Sequence, residues 1–377
     1  LSEETIRKHY LAKNALLDAV PPMVMSGCFG DSMVLQRDVP LPVWGQALPG
    51  DKVTVACAGR EATARADASG FWRLTLPQLP AGGPHEFTIA TPHGRIVYRD
   101  VLVGDVWYCA GQSNLAYGTK ASREHGLARQ PLPQIRLFTV VREAAGKPVP
   151  FTGGAWEECN FGTAKEFSAV GFFFGRRLHE ELKVPIGLFN ASWGGTPVES
   201  WISRDALKSM PEMESELRKS PEDKWERSGL FNQMVHPLIP YAIRGVVWYQ
   251  GENNIGNAHR YESRFSLMIR DWRKRWGLGD FPFYYVQIAP FRHGGAWDLA
   301  NAELWDAQRR VLALPNTGMA VTTDATVNLG DNHGSNKYMI GERLALWALA
   351  KTYGRKDVVC SGPLYRGMKV EADRIRV

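Results

Sequence analysis

The chain has 377 residues, of which 44% are hydrophobic and 22% are charged. At about 150 residues per domain this length predicts two domains, and the composition excludes a disordered, collagen-like or low-complexity chain. The net charge of +6 is a small surplus on so long a chain, so it gives no particular reason to expect binding to nucleic acid or to a membrane surface.

The first hundred residues predict two kinds of structure. Residues 1–22 show a polar amphipathic pattern that indicates a helical segment; with neither an initiator Met nor a signal-peptide pattern, we expect a processed or trimmed chain. Residues 23–100 contain alternating runs such as KVTVACA and FWRLTL, separated by turn sequences such as PG, SG and HG. Turn signals about every 8–12 residues, with side chains alternating between the two strand faces, predict a small all-β sandwich domain.

After residue 100 the pattern changes to continuous apolar runs. These cover residues 101–109, 135–141, 184–190, 244–249, 281–289 and 318–323. Helical patterns lie between several of them, at residues 168–182, 261–276, 302–314 and 335–353. Buried strands alternating with helices predict an α/β domain over residues 101–357, with a mostly parallel sheet and helices on both faces. Residues 368–377 alternate like a hairpin, and two strands alone are marginal in water. We therefore expect this hairpin to join another sheet, or residues 358–377 to begin a truncated C-terminal β segment.

Four of these strands lead directly into a short polar segment of small residues. The segments are AGQSN (110–114), ASWGGT (191–196), QGENN (250–254) and the stretch from Asp324 to His333. In open α/β sheets, ligands bind beyond the carboxyl ends of the strands. We therefore expect the four segments to converge on one crevice.

The convergent segments contain the parts needed for acyl transfer. Ser113 is a candidate nucleophile, and His333 is a candidate for the base that a serine hydroxyl needs. Asp331, or alternatively Asp324, is a candidate for the acid that orients the base. The candidate donors to the oxyanion are the Ser113 amide, Gly194, Gly195 and Asn254.

Each of these residues also has an ordinary structural interpretation. A serine in a Gly-rich turn is commonly structural, and a histidine before a helix is commonly a cap or a surface residue. Eight other histidines compete for the role of base: His9, His85, His93, His125, His179, His236, His259 and His293. The residues alone leave both interpretations open.

Several motifs of other protein classes are missing. There is no GxSxG motif, because Leu115 stands where its second glycine would be. GxGxxG, Walker A, HExxH and CxxC are absent, so we expect no nucleotide cofactor, no metal and no disulfide framework. No apolar run reaches the about 20 residues that a membrane helix needs. The basic and aromatic residues of 270–276 fit the two faces of an amphipathic helix better than a nucleic-acid surface.

The motifs together resemble those of a known family. They are MVLQR, VWGQALPGDKVTV, GDVWYCAGQSN, FSAVGFFFGRRL, VPIGLFNASWGGTPVESW, VVWYQGENN and HGSNKYMIGERLA. This set is similar to the sialate O-acetylesterase family, a branch of the SGNH hydrolases, over nearly the whole chain. The resemblance implies an SGNH-hydrolase-like sheet and an esterase that removes acetyl groups from carbohydrates without a cofactor. It also implies a secreted or periplasmic location.

The resemblance assigns roles to individual residues. Ser113 corresponds to the nucleophile and His333 to the catalytic histidine, while Gln112 and Glu252 line the pocket. The oxyanion hole corresponds to the Ser113 amide, Gly194 or Gly195, and Asn254. Two alternatives stay open: an acetyl xylan or other polysaccharide esterase, and a non-catalytic glycan-binding protein on the same fold. The oligomeric state is also open.

Three positions depart from the pattern of the SGNH hydrolases. The acid usually stands three residues before the histidine, where this chain has Gly330. Asp331, Asp324 or a dyad without an acid are therefore the alternatives. Gly334 replaces a proline that usually follows the histidine, and Trp305 stands where an arginine is common. The tryptophan is expected to alter contacts with the substrate.

Overall fold

The computed structural model describes residues 23–214, 217, 226–292, 294, 297–364 and 367–377. The helical segment predicted for residues 1–22 lies outside the described residues. The described residues form one large mixed sheet, a smaller antiparallel sheet and a C-terminal hairpin, with helices packed against the large sheet. This confirms the predicted α/β class.

The N-terminal part of the described chain contains only strands. They are β1 (Met23–Met25), β2 (Val34–Gln36), β3 (Leu41–Ala47), β4 (Lys52–Cys57), β5 (Arg60–Arg65), β6 (Phe71–Leu76), β7 (Gly82–Thr91) and β8 (Gly94–Gly111). β6 shows the predicted alternation, with Trp72 and Leu74 buried and Arg73 exposed. β1, β3 and β6 form the small sheet, while β4 pairs with β5 and β7.

The 18-residue strand β8 joins this region to the rest of the molecule. Its first part, from Gly94 to Val103, pairs antiparallel with β7. Its second part, from Asp105 to Gly111, pairs parallel with two later strands. The strand is therefore continuous across residues 100 and 101, where the sequence pattern places a domain boundary, because one apolar strand serves both parts of the sheet.

The remaining strands of the large sheet bring the predicted polar segments to one edge. They are β9 (Leu132–Thr139), β10 (Trp156–Cys159), β11 (Ile186–Ser192), β12 (Gly245–Tyr249), β13 (Phe283–Val286) and β14 (Thr317–Ala320). Their order is β10-β9-β11-β8-β12-β13-β14, and every pair on this path is parallel except β10 with β9. Because parallel strands end at the same edge, the segments after β8, β11, β12 and β14 lie together.

Helices cover both faces of the large sheet. They are α1 (Ser113–Ala116), α2 (Phe161–Glu166), α3 (Ala169–Leu182), α4 (Arg204–Leu207), α5 (Ala258–Trp276), α6 (Trp297–Arg310) and α7 (Lys337–Trp347). Trp107 of β8 belongs to the apolar core that includes α3 and α7, whereas its neighbour Tyr108 belongs to the core that includes α5. Successive residues of a buried strand point to opposite faces, so β8 contributes to both cores.

The last described residues form a hairpin, as the alternating pattern predicts. β15 (Lys369–Glu371) pairs antiparallel with β16 (Arg374–Arg376). Within the described residues this hairpin pairs with no further strand. All five cysteines lie in the described part of the chain, and none of them is in a disulfide. No helix among the described residues combines the length and the apolar character needed to cross a bilayer.

Candidate active site

The end of β8 brings Ser113 to the carboxyl edge of the sheet. Gly111 has φ 148°, and a Cβ at this position would lie 2.1 Å from the carbonyl oxygen of Tyr249. Only a glycine therefore allows β8 to approach the end of β12 so closely. Ser113 follows as the first residue of α1, and its backbone N–H donates to no described residue.

His333 lies next to Ser113, although 220 positions separate them in the sequence. The Nε2 atom of His333 is 2.9 Å from the Oγ atom of Ser113, within hydrogen-bond distance. The ring of Tyr117 packs edge-on against the imidazole, with 4.9 Å between the ring centres. Of the histidines among the described residues, this is the one that the structure places on the serine.

The surroundings of His333 favour its neutral form. Partial burial lowers the pKa of the imidazole below its ordinary value of 6.5, and the positive charge of Lys337 lowers this pKa further. The carboxylate of Asp331 opposes both effects. A neutral imidazole can accept the proton of a serine hydroxyl, so the environment suits a base at neutral pH.

The two candidate acids lie in different places. The carboxylate of Asp331 accepts a hydrogen bond of 2.8 Å from the backbone N–H of His333. Both carboxylate oxygens of Asp324 accept hydrogen bonds of 2.6 Å from the guanidinium of Arg343. Among the described residues, no acceptor binds Nδ1 of His333. Asp331 is thus placed to act on the main chain of the loop, and Asp324 on an arginine.

The candidate oxyanion donors lie around Ser113. A Cβ on Gly194 would be 3.3 Å from the Cβ of Ser113, so this glycine lies directly against the serine. The carbonyl of Gly195 accepts a hydrogen bond of 3.0 Å from the side chain of Asn253, which fixes the ASWGGT segment to QGENN.

Asn254 is buried in a hydrogen-bond network. Its Oδ1 accepts from the backbone N–H of Val198 at 2.9 Å and from Gln250 at 2.7 Å. Its Nδ2 donates to Glu199 at 3.0 Å, and Glu199 is also paired with the buried Arg264. One Nδ2 hydrogen remains, since the amide carries two.

Gln112 joins two of the polar segments. Its side chain is buried, and its Oε1 accepts from the backbone N–H groups of Gly251 at 3.4 Å and Asn253 at 3.3 Å. Its backbone N–H donates to Tyr249 at 2.9 Å. These contacts hold AGQSN and QGENN together.

Glu252 belongs to a buried polar cluster that sequence reasoning missed. Asn114 donates through Nδ2 to Glu252 at 2.5 Å and to the carbonyl of Asn332 at 2.8 Å, while its Oδ1 accepts from the buried ammonium of Lys337. Burial raises the pKa of the Glu252 carboxyl, and burial lowers the pKa of the Lys337 ammonium to about 8. The signal was present, since Asn114 stands in GQSN and Lys337 in HGSNK, but the sequence does not show which residues are buried.

Comparison with known proteins identifies the family. A family model described as carbohydrate esterase, sialic acid-specific acetylesterase, matches residues 103–350. The chain belongs to this family. The resemblance found in the sequence is thereby confirmed, and the protein is a carbohydrate esterase.

Individual relatives of this esterase agree with the family model. It is 32% identical over 409 residues to a sialate O-acetylesterase of Rattus norvegicus, a match that covers 90% of this chain and 75% of that protein. It is 33% identical over 375 residues to a sialate O-acetylesterase of Homo sapiens, covering 89% and 72%. A solved carbohydrate acetylesterase from Xanthomonas citri superposes with a TM-score of 0.84 at 37% identity, covering 92% of this chain and 79% of that chain.

The described residues of the esterase were also compared with the requirements of a metal site. Among residues 23–377, apart from those outside the description, no group of three or more His, Cys, Asp or Glu side chains could hold a metal ion.

Proposed function

We propose that this carbohydrate esterase removes O-acetyl groups from sialic acids, with Ser113 as the nucleophile and His333 as the general base. The observation that carries the proposal is the 2.9 Å contact between Ser113 Oγ and His333 Nε2 at the carboxyl edge of the sheet. The family match adds the class of ester. The sialic acid is taken from the names of the relatives.

The proposed reaction has two steps. His333 Nε2 accepts the proton of Ser113 as Oγ attacks the acetyl carbonyl carbon, and the C–O bond to the sugar breaks when His333 returns this proton to the departing sugar oxygen. Water then loses a proton to His333 and attacks the acetyl-serine, which releases acetate and restores Ser113. In both steps the negative oxygen is stabilised by the Ser113 amide, the Gly194-Gly195 segment and the remaining Nδ2 hydrogen of Asn254.

We further propose that Asp331 is a positioning residue rather than a third member of a triad. Its carboxylate binds the backbone N–H of His333 and so holds the loop that carries the base. Two more contacts hold the same loop: Asn114 donates to the carbonyl of Asn332, and the backbone N–H of Arg123 donates to the carbonyl of Ser335 at 3.1 Å. These contacts fix the main chain at His333, and the ring of Tyr117 packs against the imidazole itself.

Replacing Asp331 with Asn tests this role. The asparagine oxygen can still accept from the His333 N–H, but the negative charge that raises the pKa of His333 is lost. We therefore expect the acidic limb of the kcat/KM profile to move to lower pH, with the plateau of kcat changed by less than about tenfold. Asp324→Asn is the matched control and should leave the acidic limb of the kcat/KM profile at the same pH. A plateau lower by about 10⁴, the effect of losing a triad acid, would contradict the positioning role.

Acetate release tests the proposed substrate. The wild-type protein and Ser113→Ala are incubated with a 9-O-acetylated sialic acid and, in parallel, with acetylated xylan. We expect release from the sialic acid alone, and none by the variant. Release from xylan alone would overturn the substrate assignment and favour a polysaccharide esterase; no release from either would favour a glycan-binding protein.

Two finer expectations from the sequence also belong to this proposal. We propose that the strands from β1 to the first half of β8 form a β-sandwich module beside the catalytic part. The antiparallel pairing of β3 with β1 and β6, and of β4 with β5 and β7, supports it. A secreted or periplasmic location is proposed on the family resemblance.

A further inference from the structure

A groove lies beyond the end of β13, at the carboxyl edge of the large sheet. It is lined by residues 290–292, by Asn301, Ala302 and Trp305 of α6, and by Leu329, and it is called the α6 groove below. Its volume is about 220 Å³. This is below the range of about 300–1,000 Å³ typical of pockets for larger ligands, so the α6 groove suits a unit of about one sugar ring.

The α6 groove is close to the catalytic edge. β13 is the second neighbour of β8 in the sheet, and at about 4.8 Å per strand their ends are about 10 Å apart. Leu329, on the wall of the groove, precedes His333 by four positions, and its carbonyl accepts from the backbone N–H of Arg292 at 2.8 Å. A ligand in the groove therefore lies against the loop that carries the base.

Asn301, which lines the α6 groove, has an unpaired hydrogen-bond acceptor. The side chain is 6% exposed, and its Nδ2 donates to the carbonyl of Phe291. Its Oδ1 is buried and accepts from no described residue. Buried acceptors are nearly always hydrogen-bonded, so this oxygen indicates a ligand with a donor, such as a sugar hydroxyl.

Trp305 and Arg292 indicate which other chemical groups a ligand of the groove would carry. The indole N–H of Trp305 donates to the carbonyl of Ile288 at 2.9 Å, which fixes the ring on the groove wall. The C–H bonds of a sugar pack well on the electron-rich face of such a ring. Arg292 also lines the groove, and no carboxylate among the described residues pairs with its guanidinium. Guanidinium groups bind carboxylates strongly.

We propose that the α6 groove binds the ring of a sugar that carries a carboxylate. Asn301 accepts a hydroxyl, Trp305 packs against the ring and Arg292 pairs with the carboxylate. The proposal deepens the proposed function, because it rests on a sialic acid being the substrate. In this proposal, Arg292 selects an acidic sugar over a neutral one.

Binding without turnover tests the α6 groove. The probes are the methyl glycoside of N-acetylneuraminic acid and the same compound with its carboxyl group esterified, and the Kd of each is measured by calorimetry. We expect the wild type to bind the acid about 10- to 100-fold more tightly than the ester, and Arg292→Gln to lose this difference. Trp305→Leu should weaken binding of both probes by about two- to tenfold. Arg270→Gln, an exposed arginine on α5, is the matched control.

The outcomes separate this proposal from the catalytic one. Equal binding of the acid and the ester by the wild type, or an unchanged preference in Arg292→Gln, would overturn the role of the α6 groove. Hydrolysis of p-nitrophenyl acetate, an ester with no sugar, is measured on the same samples. Full turnover in the groove variants shows that they are folded, and turnover retained in Ser113→Ala would instead overturn the catalytic proposal.

Discussion

Replacing Ser113 with Ala is expected to lower kcat for acetate release by about four to six orders of magnitude. The variant lacks the hydroxyl oxygen that lies 2.9 Å from His333 Nε2 and that is proposed to form the acetyl-enzyme. What activity remains would come from binding and from the oxyanion donors acting on water. Ser263→Ala, which removes an exposed hydroxyl on α5, is the matched control and should retain full activity.

The same measurement on His333→Ala and on the double variant tests whether the two residues act as one unit. Without its base the serine hydroxyl is a weak nucleophile, so His333→Ala should lose nearly as much kcat as Ser113→Ala. The double variant should lose little more than either single variant, because each change alone already disables the pair. Losses that add in free energy would mean that the two side chains work independently.

Replacing Lys337 with Met is expected to have the largest effect outside that pair. The ammonium of Lys337 is buried, donates to Asn114 and lies 5.6 Å from the ring centre of Tyr249. Methionine fills a similar volume, but it leaves Asn114 without a donor and the buried Glu252 without a nearby positive charge. Removing one member of a buried polar cluster typically costs several kcal/mol, so the free energy of unfolding should fall by about 2–4 kcal/mol.

Lys337→Met should also change catalysis in two ways. Asn114 holds the carbonyl of Asn332 next to the base, so loss of its partner should lower kcat by about tenfold or more. The positive charge of Lys337 lowers the pKa of His333, so its removal should move the acidic limb of kcat/KM to higher pH. This shift is opposite in sign to the one expected for Asp331→Asn.

Chemical denaturation and pH profiles check both parts of this prediction. Lys351→Met, at an exposed lysine just beyond α7, is the matched control and should change the free energy of unfolding by less than about 0.5 kcal/mol. A Lys337→Met variant with normal stability and an unshifted limb would show that the Lys337, Asn114 and Glu252 cluster does not support the base.

The meeting of Ser113 and His333 could be predicted from the sequence because it depends on strand ends. Continuous apolar runs mark buried parallel strands, and each of the segments holding Ser113 and His333 follows such a strand. Parallel strands share an edge, so the meeting of two residues 220 positions apart follows from the pattern of the chain. The alternation within β6 and the helices α3 and α5 follow from equally local patterns.

Other features could not be predicted because they depend on side-chain partners far apart in the chain. The sequence pattern changes near residue 100, but β8 continues through this point. A single strand can pair antiparallel along one part and parallel along the next, and the pattern does not show this. The contacts of Asn254 with Val198 and Glu199 depend on the folded path of the loop after β11, which the sequence alone does not give. Likewise, only the folded loop shows that Asp331 reaches the main chain of His333.

Covalent labelling tests whether Ser113 is the activated serine. The wild-type protein is treated with a fluorophosphonate, which reacts with activated serines, and the modified residue is located by mass spectrometry of its peptides. We expect one phosphonyl group per chain, on Ser113, and no labelling in Ser113→Ala or His333→Ala. Labelling of a different serine, or wild-type protein that hydrolyses acetyl esters while Ser113 stays unmodified, would contradict this role of Ser113.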